Sequence, residues 1–377
     1  MSDYNSMKML VVPNKFPIEE NETHHIFVKK FLENITEHKV SISVLVPTHH
    51  RKKIINHNIT KENIEIYFIY VPKSLIYISK IPFVGKALSF RLKRKLYVHY
   101  IKNHQIEFEI VYGHFISESG MLASQISRIF NKKSFMVYGE SGNWSTRGYR
   151  SKWLYRILKN LNFVVSVSTG NTNRLNKLDL FDNKKIVTIP NAIDINTFYP
   201  RDMKLSRKLF ELNDDHFIFS FVGQLIERKG IINLLKALDR VNNVYLIIAG
   251  KGSEKVKHDR VLYCDTVSSK QMPFFLSSSN AFILPTFAEG CSNAILEAIG
   301  CGLPIISSNL DFNHDILNAE NAILIDPNSI TEIANAMIKL RDDPIVLRKL
   351  REGSMKKRYE LSYDKRVLKI LESIKTR

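Results

Sequence analysis

The sequence predicts two doubly wound α/β halves, each a parallel sheet with helices on both faces. Three observations carry this. Short runs rich in β-branched and aromatic residues recur along the 377 residues, and most are followed by a stretch with helical period. Many of these runs are apolar throughout, the pattern of strands buried on both faces. The rhythm occurs twice, and the stretch between, IPNAIDINTFYPRD (189–202), has turn residues and no helical period.

In the first half MKMLVV (7–12) reads as a buried strand and FVKKFLENITEH (27–38) as an amphipathic helix. VSISVLVP (40–47), IEIYFIYVP (64–72) and FEIVYGHF (108–115) are the next strands. MLASQISRIF (121–130) reads as helix, SFMVYG (134–139) as strand and WLYRILKNL (153–161) as helix. NFVVSVS (162–168) and KIVTIPNA (185–192) close this half. In the second half HFIFSFVG (216–223) is a strand ending in glycine, and ERKGIINLLKALDRV (227–241) reads as one helix. VYLIIAGKG (244–252) is a strand running into a glycine loop. NAFILP (280–285) is a strand, SNAILEAIGCG (292–302) a short helix and PIISS (304–308) a strand. SITEIANAMIKLRDD (329–343) is amphipathic, and a charged helical tail fills 344–377. The expected domains are 1–190 and 191–359.

Composition agrees with two folded cores: 44% of residues are apolar, 10% aromatic and 24% charged, which excludes disorder as the main state. Three cysteines (Cys264, Cys291, Cys301) are an odd number, so a disulfide scaffold is not expected and a reducing compartment fits. No apolar run reaches the length of a membrane-spanning helix, and the apolar stretch near the N-terminus is too short for a signal peptide. The expectation is a cytoplasmic protein. The net charge of +18 points to a polyanionic neighbour. It is uneven: residues 1–185 hold 29 Lys and Arg against 14 Asp and Glu, whereas 186–377 hold 26 against 23.

Ligands of open parallel sheets bind beyond the C-terminal strand ends. After FIFSFV come Gly223 and Gln224, then Glu227, Arg228, Lys229 and Gly230 at a helix start. Glycine lets a backbone approach a ligand closely, and a helix start with Arg and Lys beside it suits phosphate. Alone, such a start is as often just solvated. Gly250 and Gly252 flank Lys251 in a second, weaker glycine loop. The third loop is the informative one. Glu289 follows a buried strand, and Gly290, Cys291, Ser292 and Asn293 open a helix with free N–H groups. Glu297 lies within that helix among Ala294, Ile295, Leu296, Ala298 and Ile299. A carboxylate there needs hydrogen-bond donors, such as a ribose diol. One such glutamate is as often an exposed helix face; two, bracketing a glycine helix start, argue for a site.

These segments together resemble the family 4 (group 1) glycosyltransferases of the GT-B fold. The resemblance rests on Glu289-x7-Glu297 within AEGCSNAILEAIGCGLPII, on FVGQLIERKGIINLLKAL, on LIIAGKG and on TIPNAIDINTFYP. EIVYGHF (109–115) and VVSVS (164–168) match more weakly. It implies two Rossmann-like domains facing an interdomain cleft, with a helix at about 360–377 crossing back to the first. It implies sugar transfer with retention of configuration from a nucleotide-diphosphate sugar, of UDP or GDP type, with no cofactor and no metal. Glu297 matches the residue on the ribose hydroxyls, Glu289 the one on the donor sugar and Lys229 the one on the diphosphate. Gly290 and Cys291 match backbone near phosphate and sugar, and the base falls near Thr266 and Val267. Fixed cations such as Arg228 and Lys229 would stabilise the leaving diphosphate without a metal, and the chain contains no Asp-x-Asp.

The chain also departs from the family. Gln224 stands where arginine is common. No glycine lies between Asn14 and His25, and His25 occupies the position of the family's first-loop glycine. Tyr138-Gly139-Glu140 stands where many members have His-Gly, while His114 matches another common histidine with a catalytic role. His25, Tyr138 and Glu140 are candidates for the acceptor side.

Lys80, Lys86, Arg91, Lys93, Arg94, Lys95 and Lys102 interleave with aromatics and leucines, with no acid between Glu65 and Glu107. Such a stretch suits an anionic membrane surface and a lipid-diphosphate-linked acceptor; the plain alternative is a solvated helix face. No nucleic-acid motif is present. The expected setting is bacterial surface polysaccharide synthesis, at the inner face of the membrane. The rival readings are a sugar-nucleotide epimerase of related fold and a binding protein that has lost turnover.

Overall fold

The computed structural model describes residues 7–17, 26–50, 63–82, 84–142, 146 and 149–377. The chain forms two compact units. Met1–Val167, Asn171–Ile189 and Val367–Arg377 make the first; Ser168–Gly170 and Pro190–Arg366 make the second.

The first unit is built on seven strands: β1 (Met7–Val11), β2 (Val40–Thr48), β3 (Ile64–Tyr70), β4 (Ile110–His114), β5 (Lys133–Tyr138), β6 (Phe163–Ser166) and β7 (Ile186–Thr188). They pair in parallel in the order β3-β2-β1-β4-β5-β6-β7. The chain winds outward from β1 to β3, then returns to the other side of β1 as β4. The helices between are α1 (Ile26–Thr36), α2 (Ser74–Ser79), α3 (Gly85–Asn103), α4 (Glu118–Phe130), α5 (Ser151–Leu158) and α6 (Thr169–Leu178). In α1 the residues Val28, Phe31, Leu32 and Ile35 are buried, the spacing of one helical stripe.

The second unit has six strands: β8 (Phe217–Val222), β9 (Val244–Ala249), β10 (Val261–Asp265), β11 (Ala281–Leu284), β12 (Ile305–Ser308) and β13 (Ala322–Ile325). Their order is β10-β9-β8-β11-β12-β13, again all parallel. Its helices are α7 (Met203–Leu209), α8 (Ile231–Leu238), α9 (Met272–Ser277), α10 (Asn293–Gly300), α11 (Ile330–Asp342) and α12 (Pro344–Glu360). Both sheets therefore have the strand order of a dinucleotide-binding Rossmann sheet, and each has one reversal point, β1/β4 and β8/β11. Buried Arg207 ties α7 to the sheet: its guanidinium donates to the carbonyls of Asn213, Asp214, His216 and Ser278 and to the Asn280 side chain.

The structure differs from the expected elements in several places, among them the helices α2, α6 and α7, which the sequence reading did not include. The helix expected over 227–241 is split into a 3-10 turn, Glu227–Lys229, and α8, because Gly230 between them takes φ +76°. A Cβ at Gly230 would lie 1.9 Å from the carbonyl oxygen of Pro285, so the chain leaving β11 runs directly against this residue. The charged tail is two helices, α12 and α13 (Tyr363–Thr376), separated where the Leu361 carbonyl accepts from the Ile193 N–H at 2.8 Å. Elements β10, α9 and β13, of four to six residues, gave no legible period. The C-terminal part of α13 is fastened within the first unit: Lys133 Nζ donates to the Ile374 carbonyl at 2.9 Å, and Val367, Ile370 and Leu371 are buried.

Gly230→Ala combines a left-handed backbone with a backbone clash, so it should destabilise the protein by about 2 kcal/mol or more in urea unfolding. Gly142→Ala, where a Cβ meets nothing within 4 Å, is the control and should stay within about 0.5 kcal/mol of the parent.

Candidate functional site

In a sheet of this order the ligand crevice lies past the carboxyl ends of the strands at the reversal, here β8 and β11. The exit loops of β8, β9 and β10 are zipped together by backbone hydrogen bonds. Gly223 N donates to Ala249 O at 3.0 Å, Gly250 N to Asp265 O at 3.0 Å and Leu225 N to Lys251 O at 3.1 Å. A Cβ at Gly250 would come within 1.8 Å of Gly223 O, and one at Gly252 within 2.1 Å of Leu225 O. These two glycines are thus required by contacts inside the fold, a reason that the close-approach reading did not include. Gly223 differs: a Cβ there would meet only ordinary contacts, including the Lys229 side chain at 3.7 Å. Gln224 beside it is exposed.

The loop leaving β11 is knitted to the 3-10 turn. The Arg228 carbonyl accepts from Phe287 N at 2.8 Å and from Thr286 Oγ1 at 3.2 Å, and the Arg228 guanidinium donates to the Ala288 carbonyl. Lys229 Nζ is ion-paired to Glu289 Oε1, which also accepts from Thr286 Oγ1 at 3.2 Å. Arg228 stands 3.8 Å from the other oxygen of Glu289. The Lys229 and Glu289 side chains are only 12% and 11% exposed, whereas Arg228 is 37% exposed. The sequence-predicted residues Arg228, Lys229 and Glu289 therefore form one cluster. Thr286, fully buried at its base, was not predicted; its only sequence signal was a hydroxyl just past a buried strand.

Helix α10 begins at Asn293, and Ser292 caps it, its Oγ accepting from Ile295 N at 3.5 Å. The helix expected over 292–302 starts one residue later, at Asn293, with Ser292 as its cap and Gly290 and Cys291 in the loop before it. Asn191 Nδ2 braces this opening by donating to the Cys291 carbonyl at 3.5 Å and to Asn293 Oδ1 at 3.3 Å. Asn191 lies in the TIPNAID segment but drew no assignment. Burial pushes the Cys291 thiol up to about 12, so it stays protonated. One turn on, Glu297 is partly buried, and desolvation raises its carboxyl to about 8. No hydrogen bond or opposite charge among the described residues offsets that burial. Past β10, Thr266 N donates to Asp265 Oδ1 at 2.6 Å, while Val267 packs on the apolar cluster around Ile218, Ile247 and Phe275. That N–H, with Lys251 at 3.3 Å, holds the Asp265 carboxyl below its usual range.

The reversal point of the first sheet collects the remaining candidates. His114 is buried, with Nδ1 2.5 Å from Tyr112 Oη and its ring 5.0 Å from Phe27. Its neighbour Phe115 takes φ +73°, an uncommon conformation for a bulky residue and of the kind found at functional sites. Glu140 is buried, with Oε1 accepting from Ile116 N at 3.1 Å, and its carbonyl accepts from Arg174 at 2.6 Å. Tyr138 is buried, and desolvation followed by Glu140 raises its phenol to about 12. It can donate a hydrogen bond but does not serve as a base near neutral pH. His25 lies outside the described residues. A network that sequence reasoning missed holds this point together: Asn14 Oδ1 accepts from Ser119 N at 3.1 Å, and Ser119 Oγ accepts from His114 N at 2.7 Å.

The basic run does not act as one surface. Lys93 bonds both oxygens of Glu118 at 2.7 Å, and Arg94 donates to Gln125 at 3.2 Å, because α3 packs along α4 there. Lys80, Lys86, Arg91, Lys95 and Lys102 are exposed. No helix among the described residues is long and apolar enough to cross a membrane.

Comparison with known proteins matches this fold. Residues 216–343 fit the family "Glycosyl transferases group 1". A stretch of 184 residues is 31% identical to the UDP-Gal:alpha-D-GlcNAc-diphosphoundecaprenol alpha-1,3-galactosyltransferase of Escherichia coli, covering 44% of this chain and 47% of that protein. The chain thus aligns with about half the length of that relative. The capsular polysaccharide biosynthesis glycosyltransferase CapM of Staphylococcus aureus is 23% identical over 61% of this chain and 68% of its own. Among solved structures, sucrose-phosphate synthase from Thermosynechococcus elongatus superposes with a TM-score of 0.76 at 17% identity, over 98% of both chains. Anabaena HepE in complex with UDP and glucose superposes with a TM-score of 0.69 at 13% identity, over 98% of this chain and 100% of that one. The fold is GT-B, and residues 216–343 match the group 1 glycosyltransferase family.

Proposed function

We propose that the protein is a retaining glycosyltransferase that moves a sugar from a nucleotide-diphosphate sugar, of UDP or GDP type, to a glycan or lipid-diphosphate-linked acceptor. The setting is bacterial surface polysaccharide synthesis on the cytoplasmic face of the membrane. One observation carries the reading: Arg228, Lys229 and Glu289 cluster at the β8/β11 reversal, beside the opening of α10 and one turn from Glu297. The relatives support it, since their names record a UDP-sugar donor, a diphosphoundecaprenol acceptor and capsule synthesis.

The donor's diphosphate is received by Lys229, Arg228 and the backbone from Gly290 to Asn293. Glu297 accepts from the ribose hydroxyls, Glu289 takes the donor sugar, and the base lies near Thr266 and Val267, with Gly223, Gln224 and Gly250 on the adjoining loops. As the bond from the anomeric carbon to the diphosphate breaks, negative charge collects on the leaving oxygen, and Lys229 with Arg228 stabilises it. The acceptor hydroxyl attacks the same face, and its proton passes to that oxygen. The reading assigns no metal and no cofactor. Tyr138 and Glu140 are the acceptor-side candidates, with the Tyr138 phenol acting as a hydrogen-bond donor, and His114 is the candidate catalytic histidine.

Metal-free calorimetric titration with UDP, GDP, ADP and CMP should show selective binding of one diphosphate. Glu297→Ala should weaken it by about 1.5–3 kcal/mol, roughly ten- to a hundredfold. Binding of none of them, or binding that Glu297→Ala leaves unchanged, contradicts the assignment; conversion of a nucleotide sugar without any acceptor would favour the epimerase.

The raised carboxyl of Glu297 has a second consequence. The folded free protein holds this proton more tightly than the unfolded chain does, so the group's contribution to stability falls as pH rises from about 4.5 to about 8. In thermal unfolding without ligand, Glu297→Gln should therefore show a higher Tm than the parent above pH 8, with the two converging towards pH 4.5. A constant difference across that window would show that burial does not perturb the carboxyl.

A further inference from the structure

We propose that Ile76, Tyr77, Ile81, Val84 and Leu88, exposed on and beside α2 and α3, form a wedge that enters the interfacial layer of an anionic membrane. The inference rests on the lipid-linked acceptor reading above but concerns a separate surface. Ile76, Tyr77, Ile81, Val84 and Leu88 are 40%, 69%, 48%, 59% and 43% exposed, five large apolar side chains within one helical hairpin. The opposite face of α2 and α3 is anchored. Leu75, Ser89 and Phe90 are buried, Ser89 Oγ donates to Leu75 O at 2.8 Å, and the Phe90 ring meets Trp153 edge-on at 5.6 Å. Gly85 N donates to Ile81 O at 3.0 Å, and a Cβ at Gly85 would come 2.1 Å from Ile78 O, so the two helices meet without room to slide. The apolar side chains are thus presented outward on a fixed support.

Charge decides what covers them. Lys73, Lys80, Lys86, Arg91 and Lys95 are exposed around the patch, and the sequence has no acid between Glu65 and Glu107. The core of a protein–protein interface is depleted in lysine, whereas a mixed apolar and basic surface is what an anionic headgroup layer accepts. Lysine stems can lie along the inserted side chains while their ammonium groups reach lipid phosphates; Lys80 Nζ already sits 5.8 Å from the Tyr77 ring centre. The structure narrows the surface that charge alone suggests: Lys93 and Arg94 are bonded within the unit, and the apolar wedge, rather than the length of α3, makes the contact.

The test is co-sedimentation of the full chain with vesicles of phosphatidylcholine, with and without about one-third phosphatidylglycerol. The parent should bind the anionic vesicles and retain part of that binding at about 0.5 M NaCl, because insertion is not screened as charge is. The I81D/V84D variant should lose vesicle binding by roughly tenfold or more, including the salt-resistant part. The K80Q/K86Q variant should lose roughly thirtyfold at low salt, since each of the two cations contributes about 1 kcal/mol. Both variants should keep the parent's Tm and its nucleoside diphosphate binding, which separates this proposal from the donor assignment. Failure of the parent to bind anionic vesicles, or binding that neither variant alters, overturns the wedge. So does a dimer in solution that I81D/V84D dissociates, because the face would then belong to a second copy.

Discussion

The contact between Lys229 and Glu289 organises the second unit's site. It joins the two strands that flank the sheet reversal, one residue following β8 and the other following β11. Both side chains are nearly buried, and removing one partner of such a pair leaves the other charge unpaired, at a cost of about 3–5 kcal/mol in buried settings. Other features surround it. Gly230 has no side chain because the Pro285 carbonyl occupies that space, and Thr286 is oriented by the Arg228 carbonyl before it reaches Glu289. Without ligand, each charge neutralises the other. A diphosphate would compete with Glu289 for Lys229, releasing Glu289 to accept from sugar hydroxyls. The same pair would thereby couple occupation of the phosphate position to readiness of the sugar position.

The first unit relies on hydrogen bonds. Its reversal is held by Asn14, Ser119 and the backbone of His114, and the strained backbone of Phe115 sits at the same point. Its buried Glu140 is engaged by the Ile116 N–H, and its buried Tyr138 phenol is held protonated. Asn14, Ser119 and Glu140 accept from backbone N–H groups, and Arg174 donates to the Glu140 carbonyl. Exposed positive charge on the first unit includes Lys73 and Lys80 flanking α2 and Lys86, Arg91, Lys95 and Lys102 on α3.

Much of this was legible in the sequence. The apolar runs located β1 through β9 because strands buried on both faces have nothing else to encode. The paired glutamates were legible because a carboxylate among Ala294, Ile295, Leu296 and Ala298 is costly without a purpose, and the structure does find Glu297 desolvated. Three kinds of information were not legible. Short edge elements such as β10 and β13, of five and four residues, leave too few repeats for a pattern to stand out. The reason for a glycine depends on what faces it: Gly250 and Gly252 answer to carbonyls of the β8 loop, which no local pattern reveals. Partners distant in sequence, such as Asn191 with Asn293 or Lys93 with Glu118, are set by the fold, so a basic run that looks continuous along the chain divides into inward and outward charges.

The central claim is that Glu289 and the donor's diphosphate compete for Lys229. Calorimetric binding of the preferred nucleoside diphosphate to the parent, Glu289→Gln, Lys229→Met and the double variant tests it directly. The account predicts that Glu289→Gln tightens the bare diphosphate by about fivefold, a gain of about 1 kcal/mol, and that the gain vanishes once Lys229 is replaced. Weakening by Glu289→Gln comparable to that caused by Lys229→Met would contradict it.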